Sequence, residues 1–304
     1  MEISLLLPTR ERPLQAEAFL QSVAETAENL SHIEVVAAID DDDKKSHTLL
    51  SPHPDLKLIK VIGPQTTMGG LNSRCLEKAS GKIIMLVNDD ILIRSKGWDR
   101  HLIEADRTCS DGIYLMHTRD GQKDNAFPIF PILSSRGCSL IKDPYPKEFC
   151  GDCIDSHLFD IFLRLKDVGH DRILYIPEVL FEHIHFSVGK APIDKIYAAR
   201  SRLKGNHTFY SLWEKREHAA HTLATEIEGT TVLKPLPKNS PKKQGSYSIL
   251  LTSFLRSHQS FIFRLKYLTY HTLRETYLRF RLDKIKQKAL TFSKRIKKMS
   301  RSIN

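Results

Sequence analysis

Two groups of acidic residues stand where short apolar runs of the sequence end. Asn88-Asp89-Asp90 follows Ile83–Val87, and Asp40 begins a run of four aspartates after Ile33–Ile39. Oxygen ligands of this kind suit Mg²⁺ and Mn²⁺, which need few protein ligands when phosphate groups supply the rest. For the first group, the alternative is a solvated turn before a helix near Trp98, since acids are favoured at helix N-termini.

Arginines follow another apolar run, Ile3–Leu7, in the segment Pro8-Thr9-Arg10-Glu11-Arg12-Pro13. A guanidinium group matches phosphate oxygens in a two-pronged geometry, so we expect Arg10 and Arg12 to pair with phosphate. Asp40 could accept hydrogen bonds from a base or a ribose. A solvated acidic loop is the alternative for this group, and more so for residues 41–43, whose side chains cannot all point inward.

The elements that must position these residues alternate between strands and helices over the first 110 residues. Continuous apolar strands separated by helices predict an α/β fold with a mostly parallel sheet covered on both faces. In such sheets the ligand lies at the carboxyl ends of the strands, where the acids are. The sequence has neither GxGxxG after the first strand nor GxxxxGK[ST], which argues against dinucleotide-binding and P-loop proteins. The predicted strands are Ile3–Leu7, Ile33–Ile39, Leu56–Ile62 and Ile83–Val87, and the predicted helices are Leu14–Leu30, Gly69–Ala79 and Asp155–Val168.

Four segments together resemble a family 2 glycosyltransferase over residues 1–190: residues 4–10 (SLLLPTR), 35–40 (VVAAID), 70–74 (GLNSR) and 84–90 (IMLVNDD). The resemblance implies the GT-A fold and nucleotide-diphosphate sugar donors. It assigns nucleoside contacts to Thr9, Arg10 and Asp40, and places the family's metal-binding DxD motif on residues 88–90. Because asparagine occupies the first acidic place, Asp90 is the expected direct ligand of Mn²⁺ or Mg²⁺. The remaining residues assigned to nucleotide-sugar binding are Pro8, Arg12, Arg74, Asn88 and Asp89.

The same resemblance extends to a second group of residues on the acceptor side. An inverting transfer needs a carboxylate to take the acceptor proton. Asp152 and Asp155 match the region of that base, with Asp152 preferred because Asp155 could cap a helix. A histidine of the segment that follows is expected to complete the metal site. His183 and His185 alternate in a strand-like segment and face opposite sides, so at most one is a ligand, with His183 preferred. Structural roles are the alternative for all four residues.

Charge divides the chain into an acidic body and a basic C-terminal part. The net charge is +10, yet residues 234–304 alone carry +16, which leaves −6 for residues 1–233. We interpret 1–233 as the GT-A-like domain, 234–245 as a linker rich in proline and lysine, and 246–304 as a basic helical tail. An apolar stripe at helical spacing runs from Leu278 to Met299 between lysines and arginines, a pattern typical of helices on anionic membranes. A helix packed on the body, a coiled coil and nucleic-acid binding are the alternatives.

The sequence is therefore interpreted as a metal-dependent, inverting glycosyltransferase of surface glycan or glycolipid synthesis, acting on a glycan or lipid-linked acceptor. A nucleotidyltransferase is the alternative among enzymes, although PTRERP lacks the glycines that such an enzyme needs, and a non-catalytic nucleotide- or sugar-binding module is the other. No apolar run reaches the ~20 residues of a membrane span. This, together with five sparse cysteines, predicts a cytoplasmic protein, peripheral at the inner face of the membrane. Cys150 and Cys153 form a single CxxC, for which packing is preferred over zinc binding.

Overall fold

A computed structural model describes residues 1–184, 189, 201–230 and 244–280. The strands are β1 (Ile3–Thr9), β2 (Ile33–Asp40), β3 (Lys57–Gly63), β4 (Ile83–Leu86), β5 (Ile91–Ile93), β6 (Leu115–Arg119), β7 (Ile132–Ser134) and β8 (Ile173–His183). The α-helices are α1 (Pro13–Thr26), α2 (Met68–Leu76), α3 (Trp98–Arg107), α4 (Ser135–Ile141), α5 (Ile154–Asp167), α6 (Arg202–Ser211), α7 (Trp213–Glu228), α8 (Ser246–Arg256) and α9 (Phe261–Arg279). Short 3₁₀ helices cover Leu30–His32, Ser46–Thr48 and Asp124–Ala126.

The strands form one mixed, eight-stranded sheet in the order β3-β2-β1-β4-β7-β6-β8-β5. β1 pairs in parallel with β2 and β4, and β2 pairs in parallel with β3, which confirms the predicted α/β fold and its parallel half. β7 then runs antiparallel to both β4 and β6. The parallel strands therefore end at one edge of the sheet, as the positions of the acids require.

Two apolar layers cover the sheet, and alternate residues of β1 enter each of them. Leu5 packs into the layer with α1 and α3, whereas Leu6 packs into the layer with α2, α5 and α7. Successive side chains of a strand point to opposite faces, so a strand buried on both sides needs a largely apolar run such as ISLLL, in which the one polar residue, Ser4, donates a hydrogen bond to Glu34. This burial fixes where β1 ends, and with it the position of the loop after β1.

The C-terminal helices α8 and α9 pack on the second layer. Ile249 and Leu250 of α8 and Tyr267 of α9 belong to the same buried cluster as α5 and α7. Within 246–280 the structure therefore has two helices that lie against the body, and the basic tail over 246–304 stays a prediction. Most of the predicted stripe lies outside the described residues, as do 234–243 of the linker and His185. Within the part of the chain that the structure describes, no helix has both the length and the apolar character needed to cross a bilayer.

Candidate functional site

Asp40 is the centre of one group of polar contacts at the carboxyl edge of the sheet. It is the last residue of β2, is fully buried, and pairs with Gly63 of β3. Its carboxylate accepts a hydrogen bond of 2.9 Å from Arg10 Nη1 and one of 3.1 Å from the backbone N of Thr66. Arg74 Nη1 of α2 lies 3.8 Å from the same carboxylate. The structure thus brings together Arg10, Asp40 and Arg74, three of the residues assigned to nucleotide-sugar binding.

Arg10 is also bound to a second carboxylate. Its guanidinium donates two hydrogen bonds to Asp42, of 2.6 and 2.8 Å, in addition to its bond with Asp40. The hydrogen bonds to Asp42 and Asp40 raise the pKa of Arg10 against a smaller opposing effect of burial. In this arrangement Arg10 ties the loop after β1 to the loop after β2, whereas the sequence predicted that it would meet phosphate.

Asp89 holds the other side of the loop after β1. Its carboxylate accepts hydrogen bonds of 3.0 Å from Thr9 Oγ1 and 3.1 Å from Arg12 Nη1. Burial raises the pKa of Asp89 to about 6, and the neighbouring charge of Asp90 acts in the same direction while Arg12 acts against both. Thr9 and Arg12, both assigned to nucleotide-sugar binding, are thereby held against the turn that carries Asp90.

Asp90 and His183 are 93 residues apart in sequence and meet at the edge of the sheet. His183 Nε2 lies 3.2 Å from Asp90 Oδ2, and both residues are buried. The strand pairing makes this contact, because Ile91 of β5 is opposite His183 of β8 and the backbone N of Ile184 donates to the Asp90 carbonyl at 2.8 Å. The ring of Phe130 packs edge-on against the His183 ring, with centroids 5.2 Å apart.

The chemistry of these donors fits a divalent cation. A carboxylate oxygen and an imidazole nitrogen converge, and Mn²⁺ accepts both, while Mg²⁺ prefers the oxygen. Among the described residues, no group of three or more histidine, cysteine or acidic side chains could hold a metal ion. An ion at Asp90 and His183 would thus rely on a ligand such as a diphosphate, with water, for its remaining coordination.

The predicted acceptor-side carboxylates lie at the start of α5. Cys153 is the N-cap residue of this helix and has a left-handed conformation, with φ of 72°. Asp155 therefore lies in the first turn and does not cap the helix, contrary to the expected alternative role; its Oδ1 accepts a 2.6 Å hydrogen bond from Ser156 N. Burial raises the pKa of Asp155 to about 6. Asp152 lies against the start of α6, close to Gly205.

Arg274 was not predicted as a site residue, and it lies beside this pair. The Arg274 guanidinium on α9 is 4.0 Å from the sulfur of Cys153, and its positive charge acts to lower the pKa of Asp155. Arg274 is 121 residues from Cys153 in sequence, within a region interpreted as a tail, so no local pattern indicated the contact. Cys153 itself is buried, and burial raises the pKa of its thiol to about 12.

Pro8 and Asn88, the other residues assigned to nucleotide-sugar binding, lie at the same edge of the sheet. Pro8 lies within β1 opposite Ala38 of β2, and Asn88 is half-buried between β4 and the turn at Asp89. The backbone N of Thr66 and the ring of His47, which lies 3.2 Å from the Asp40 carbonyl, are contacts that the sequence analysis missed. No local motif indicates either contact, because both are made by loops whose path is fixed by the fold.

No protein-family model and no curated protein sequence matches this chain. Several solved structures are similar to it in fold. A mannosyltransferase from Pyrobaculum calidifontis, PcManGT, solved in complex with GDP-Man and Mn²⁺, superposes with a TM-score of 0.53 at 13% identity, covering 91% of this chain and 87% of that chain. S. aureus TarS (residues 1–349), in complex with UDP-GlcNAc, superposes with a TM-score of 0.53 at 15% identity, covering 75% of this chain and 72% of that chain.

These similarities concern the fold, because the sequence identities are low. The chain therefore has the GT-A-like fold of nucleotide-sugar glycosyltransferases.

Proposed function

We propose that this protein is a glycosyltransferase that moves a sugar from a nucleotide-diphosphate donor to an acceptor hydroxyl with the help of Mn²⁺ or Mg²⁺. The observation that carries the proposal is the 3.2 Å approach of His183 to Asp90 at the edge where β2 presents Asp40. The GT-A-like fold supports it, since PcManGT was solved with GDP-Man and Mn²⁺ and TarS with UDP-GlcNAc.

Asp90 and His183 would hold the cation. When bound, a divalent cation stabilises the negative charge that develops on a diphosphate leaving group. The buried position of both ligands strengthens that electrostatic effect, because water screens charges less there. Asp89 contributes indirectly: through Thr9 and Arg12 it fixes the loop that follows β1.

The nucleoside end of the donor is proposed to lie beside Asp40. Arg74 and the Thr66 amide orient this carboxylate, which has further lone pairs available to a base or ribose. Arg10 would exchange one of its contacts with Asp40 and Asp42 for the donor, while Arg12 near Asp89 would meet the diphosphate. Binding of the donor is thus expected to reorganise the loop after β1.

The acceptor is proposed to bind beside Asp152 and Asp155, with inversion at the anomeric carbon. One carboxylate would take the proton of the acceptor hydroxyl as that oxygen attacks the sugar. The sequence favoured Asp152. The pKa of Asp155, raised to about 6 by burial, gives that residue a proton affinity well suited to a general base near neutral pH. The proposal therefore keeps both carboxylates as the candidates.

The acceptor is proposed to be a glycan or a lipid-linked sugar in surface glycan or glycolipid synthesis at the inner face of the membrane. The supporting observation is the charge division, with +16 on residues 234–304. Basic segments are attracted to anionic lipid surfaces. The predicted membrane contact of the stripe from Leu278 to Met299 remains a prediction, because residues 281–304 are not described.

Calorimetric titration with UDP and GDP, each with and without Mn²⁺, tests the donor site first. A screen of nucleotide sugars for hydrolysis then identifies the donor. The proposal expects tight nucleotide binding only with the metal, and release of the nucleoside diphosphate from one donor. Release of pyrophosphate from a nucleoside triphosphate would indicate a nucleotidyltransferase, and binding with no turnover on any donor or acceptor would indicate a binding module.

A further inference from the structure

α9 has large apolar side chains on its outer face and polar as well as apolar side chains on its buried face. Tyr267, His271 and Glu275, spaced four residues apart, are buried against the body. On the opposite face, Ile262 and Leu273 are 65% and 66% exposed. A helix on the surface of a globular protein normally buries its apolar stripe and presents its polar residues to water.

The inner face of α9 contacts a buried ionic group of the body through Tyr267. Arg216 Nη2 donates a 3.0 Å hydrogen bond to the Tyr267 hydroxyl, and Arg216 Nε donates one of 2.6 Å to Asp160. Arg279 pairs with Glu275 at 2.8 Å. Burial lowers the pKa of His271 to about 3, so this imidazole is neutral where it packs. The body therefore fixes which face of α9 points outward.

The outward apolar surface continues onto α8. The two helices pack antiparallel: the Tyr247 hydroxyl lies 3.0 Å from Thr276 Oγ1, and Arg264 Nη1 donates to the Phe254 carbonyl at 2.9 Å. Ten of the sixteen exposed large apolar residues among the described residues lie on this hairpin or at its ends, which is a concentration that single surface residues do not explain. We call this set the hairpin face: Tyr247, Leu251, Leu255, Phe261, Ile262, Leu265, Tyr270, Leu273, Tyr277 and Phe280.

The exposed charges of the hairpin itself are all positive, and the acid of the body nearest its turn, Asp167, is bound by Ser260. Glu275 is the sole acidic residue between 244 and 280, and it is buried and paired, so it presents no negative charge outward. Arg256, Lys266 and Arg279 are exposed around the same surface. Apolar and aromatic side chains with cations beside them are the combination that binds the interface of an anionic bilayer. Binding to another protein would be compatible with exposed acidic residues on the hairpin, whereas binding to an anionic lipid surface favours their absence.

We propose that the hairpin face docks on an anionic lipid surface, with its apolar side chains in the interfacial region and its cations on the headgroups. This contact lies within the region predicted as a basic tail, but it is built by residues of 247–280 and not by the predicted stripe from Leu278 to Met299. The three tyrosines of the face suit the boundary between apolar and wet regions.

Docking of this face would also place the acceptor side near the lipid. Arg274 lies on α9 and reaches Cys153 at the start of α5, next to Asp155. One helix, about 10 Å across, therefore lies between the lipid surface and the carboxylates proposed as the base. This step rests on the proposed function, and it favours an acceptor carried by a lipid. The docking itself requires no catalytic activity.

Co-sedimentation of the full chain with vesicles tests the docking. Vesicles of 7:3 phosphatidylcholine and phosphatidylglycerol are compared with pure phosphatidylcholine. The double variant Ile262→Gln/Leu273→Gln should weaken binding to the anionic vesicles at least tenfold. The matched control is Leu14→Gln/Leu50→Gln, at positions 75% and 73% exposed on the body, and it should bind like the wild type. Because all four side chains already meet water, the melting temperature should not change.

A tryptophan reporter gives a second, independent measurement. Trp98 and Trp213 are buried, so emission from Tyr270→Trp would respond to what covers the hairpin face. A blue shift with anionic vesicles, and quenching by brominated lipids, are expected. Unchanged vesicle binding by the double variant, or an emission spectrum insensitive to vesicles, would overturn the proposal. A dimer that the double variant converts to monomer, without vesicle binding, would assign the face to a second copy instead. Failure of sugar transfer with docking intact would count against the proposed function alone.

Discussion

Carboxylates lie beside arginines in two regions of the molecule, and the two regions differ in their balance of charge. At the sheet edge, Asp40, Asp42, Asp43, Asp89 and Asp90 lie with Arg10, Arg12 and Arg74; we call this the edge cluster. Between α5 and α7, Asp160 and Glu217 lie with Arg164 and Arg216; we call this the inner cluster. Among the described residues, the inner cluster is neutral, whereas the edge cluster has two more acids than arginines.

The pKa values of one acid in each cluster show the consequence. Burial alone would raise the pKa of Asp160, but the charges of Arg164 and Arg216 outweigh it and lower the pKa to about 2. At the edge, burial and Asp90 outweigh Arg12, and the pKa of Asp89 rises to about 6. The inner cluster is internally compensated and suits a structural role. The edge cluster has unbalanced negative charge, which a divalent cation would compensate.

The largest effect is expected from removing the proposed metal ligand of the edge cluster. Asp90→Ala should lower turnover to background, because losing a direct ligand costs several kcal/mol of leaving-group stabilisation. Metal-dependent nucleotide binding should be lost with it, while the far-UV circular dichroism stays unchanged. Asp41→Ala is the matched control, since Asp41 is exposed on the same edge. Near-normal turnover by folded Asp90→Ala would remove the metal assignment.

The next largest effect is expected from the acceptor-side carboxylates Asp152 and Asp155, which belong to neither cluster. Asp152→Asn or Asp155→Asn, whichever removes the base, should lower turnover by roughly 10²–10⁴ with donor binding retained. If Asp155 is the base, activity should fall as the pH drops through about 6, since the base must be deprotonated and burial raises its pKa to about 6. A pH profile of kcat/KM for the wild type and both variants decides. Full activity in both variants would dismiss the acceptor-side assignment.

Breaking the inner cluster should lower the free energy of unfolding and leave the metal affinity of the folded protein unchanged. Asp160→Asn leaves two buried guanidinium groups without their shared carboxylate, and breaking such a pair costs about 3–5 kcal/mol. Urea unfolding measures this. Asp171→Asn is the control: it removes an exposed pair with Lys166, and such pairs contribute roughly 0–1 kcal/mol. Equal stability of the two variants would mean that the inner cluster does not hold α5 and α7 together.

A smaller effect is expected from pH on the wild type. The folded pKa of Asp160 is about 2, below the ordinary aspartate value of 3.8, so its contribution to stability is present above about pH 4 and is lost as the pH falls through 2. By linkage this amounts to roughly 2 kcal/mol. Melting temperatures between pH 5 and pH 2 should fall more in the wild type than in Asp160→Asn. Parallel pH curves would show that Asp160 is not the responsible group.

The parts that the sequence predicted are those with a local pattern. Short, mainly apolar runs indicated β1 to β4, and the order of the acids after them placed Asp40 and Asp90 at one edge. His183 entered through the resemblance alone, and the pairing of β5 with β8 brings it to Asp90. The inner cluster was missed because charged residues on helices usually face water, and nothing local shows that partners from other helices enclose them.

The C-terminal helices show the same limit. The periodicity of α9 marks a helix, but which side is buried depends on contacts with Arg216, from another helix. Hydropathy alone assigns the apolar side to the core, whereas the structure turns Ile262 and Leu273 outward and Tyr267 inward. Long-range ionic contacts therefore decided the orientation.

The most direct test of the central claim is pulsed electron paramagnetic resonance of Mn²⁺ bound with UDP or GDP. Because the imidazole of His183 is proposed as a ligand beside Asp90, the spin-echo modulation should contain a ¹⁴N coupling. His183→Gln should abolish that coupling, and Asp90→Ala should abolish the ternary complex. A folded wild-type protein that forms no Mn²⁺–nucleotide complex, or a ¹⁴N coupling that survives in His183→Gln, would contradict the account.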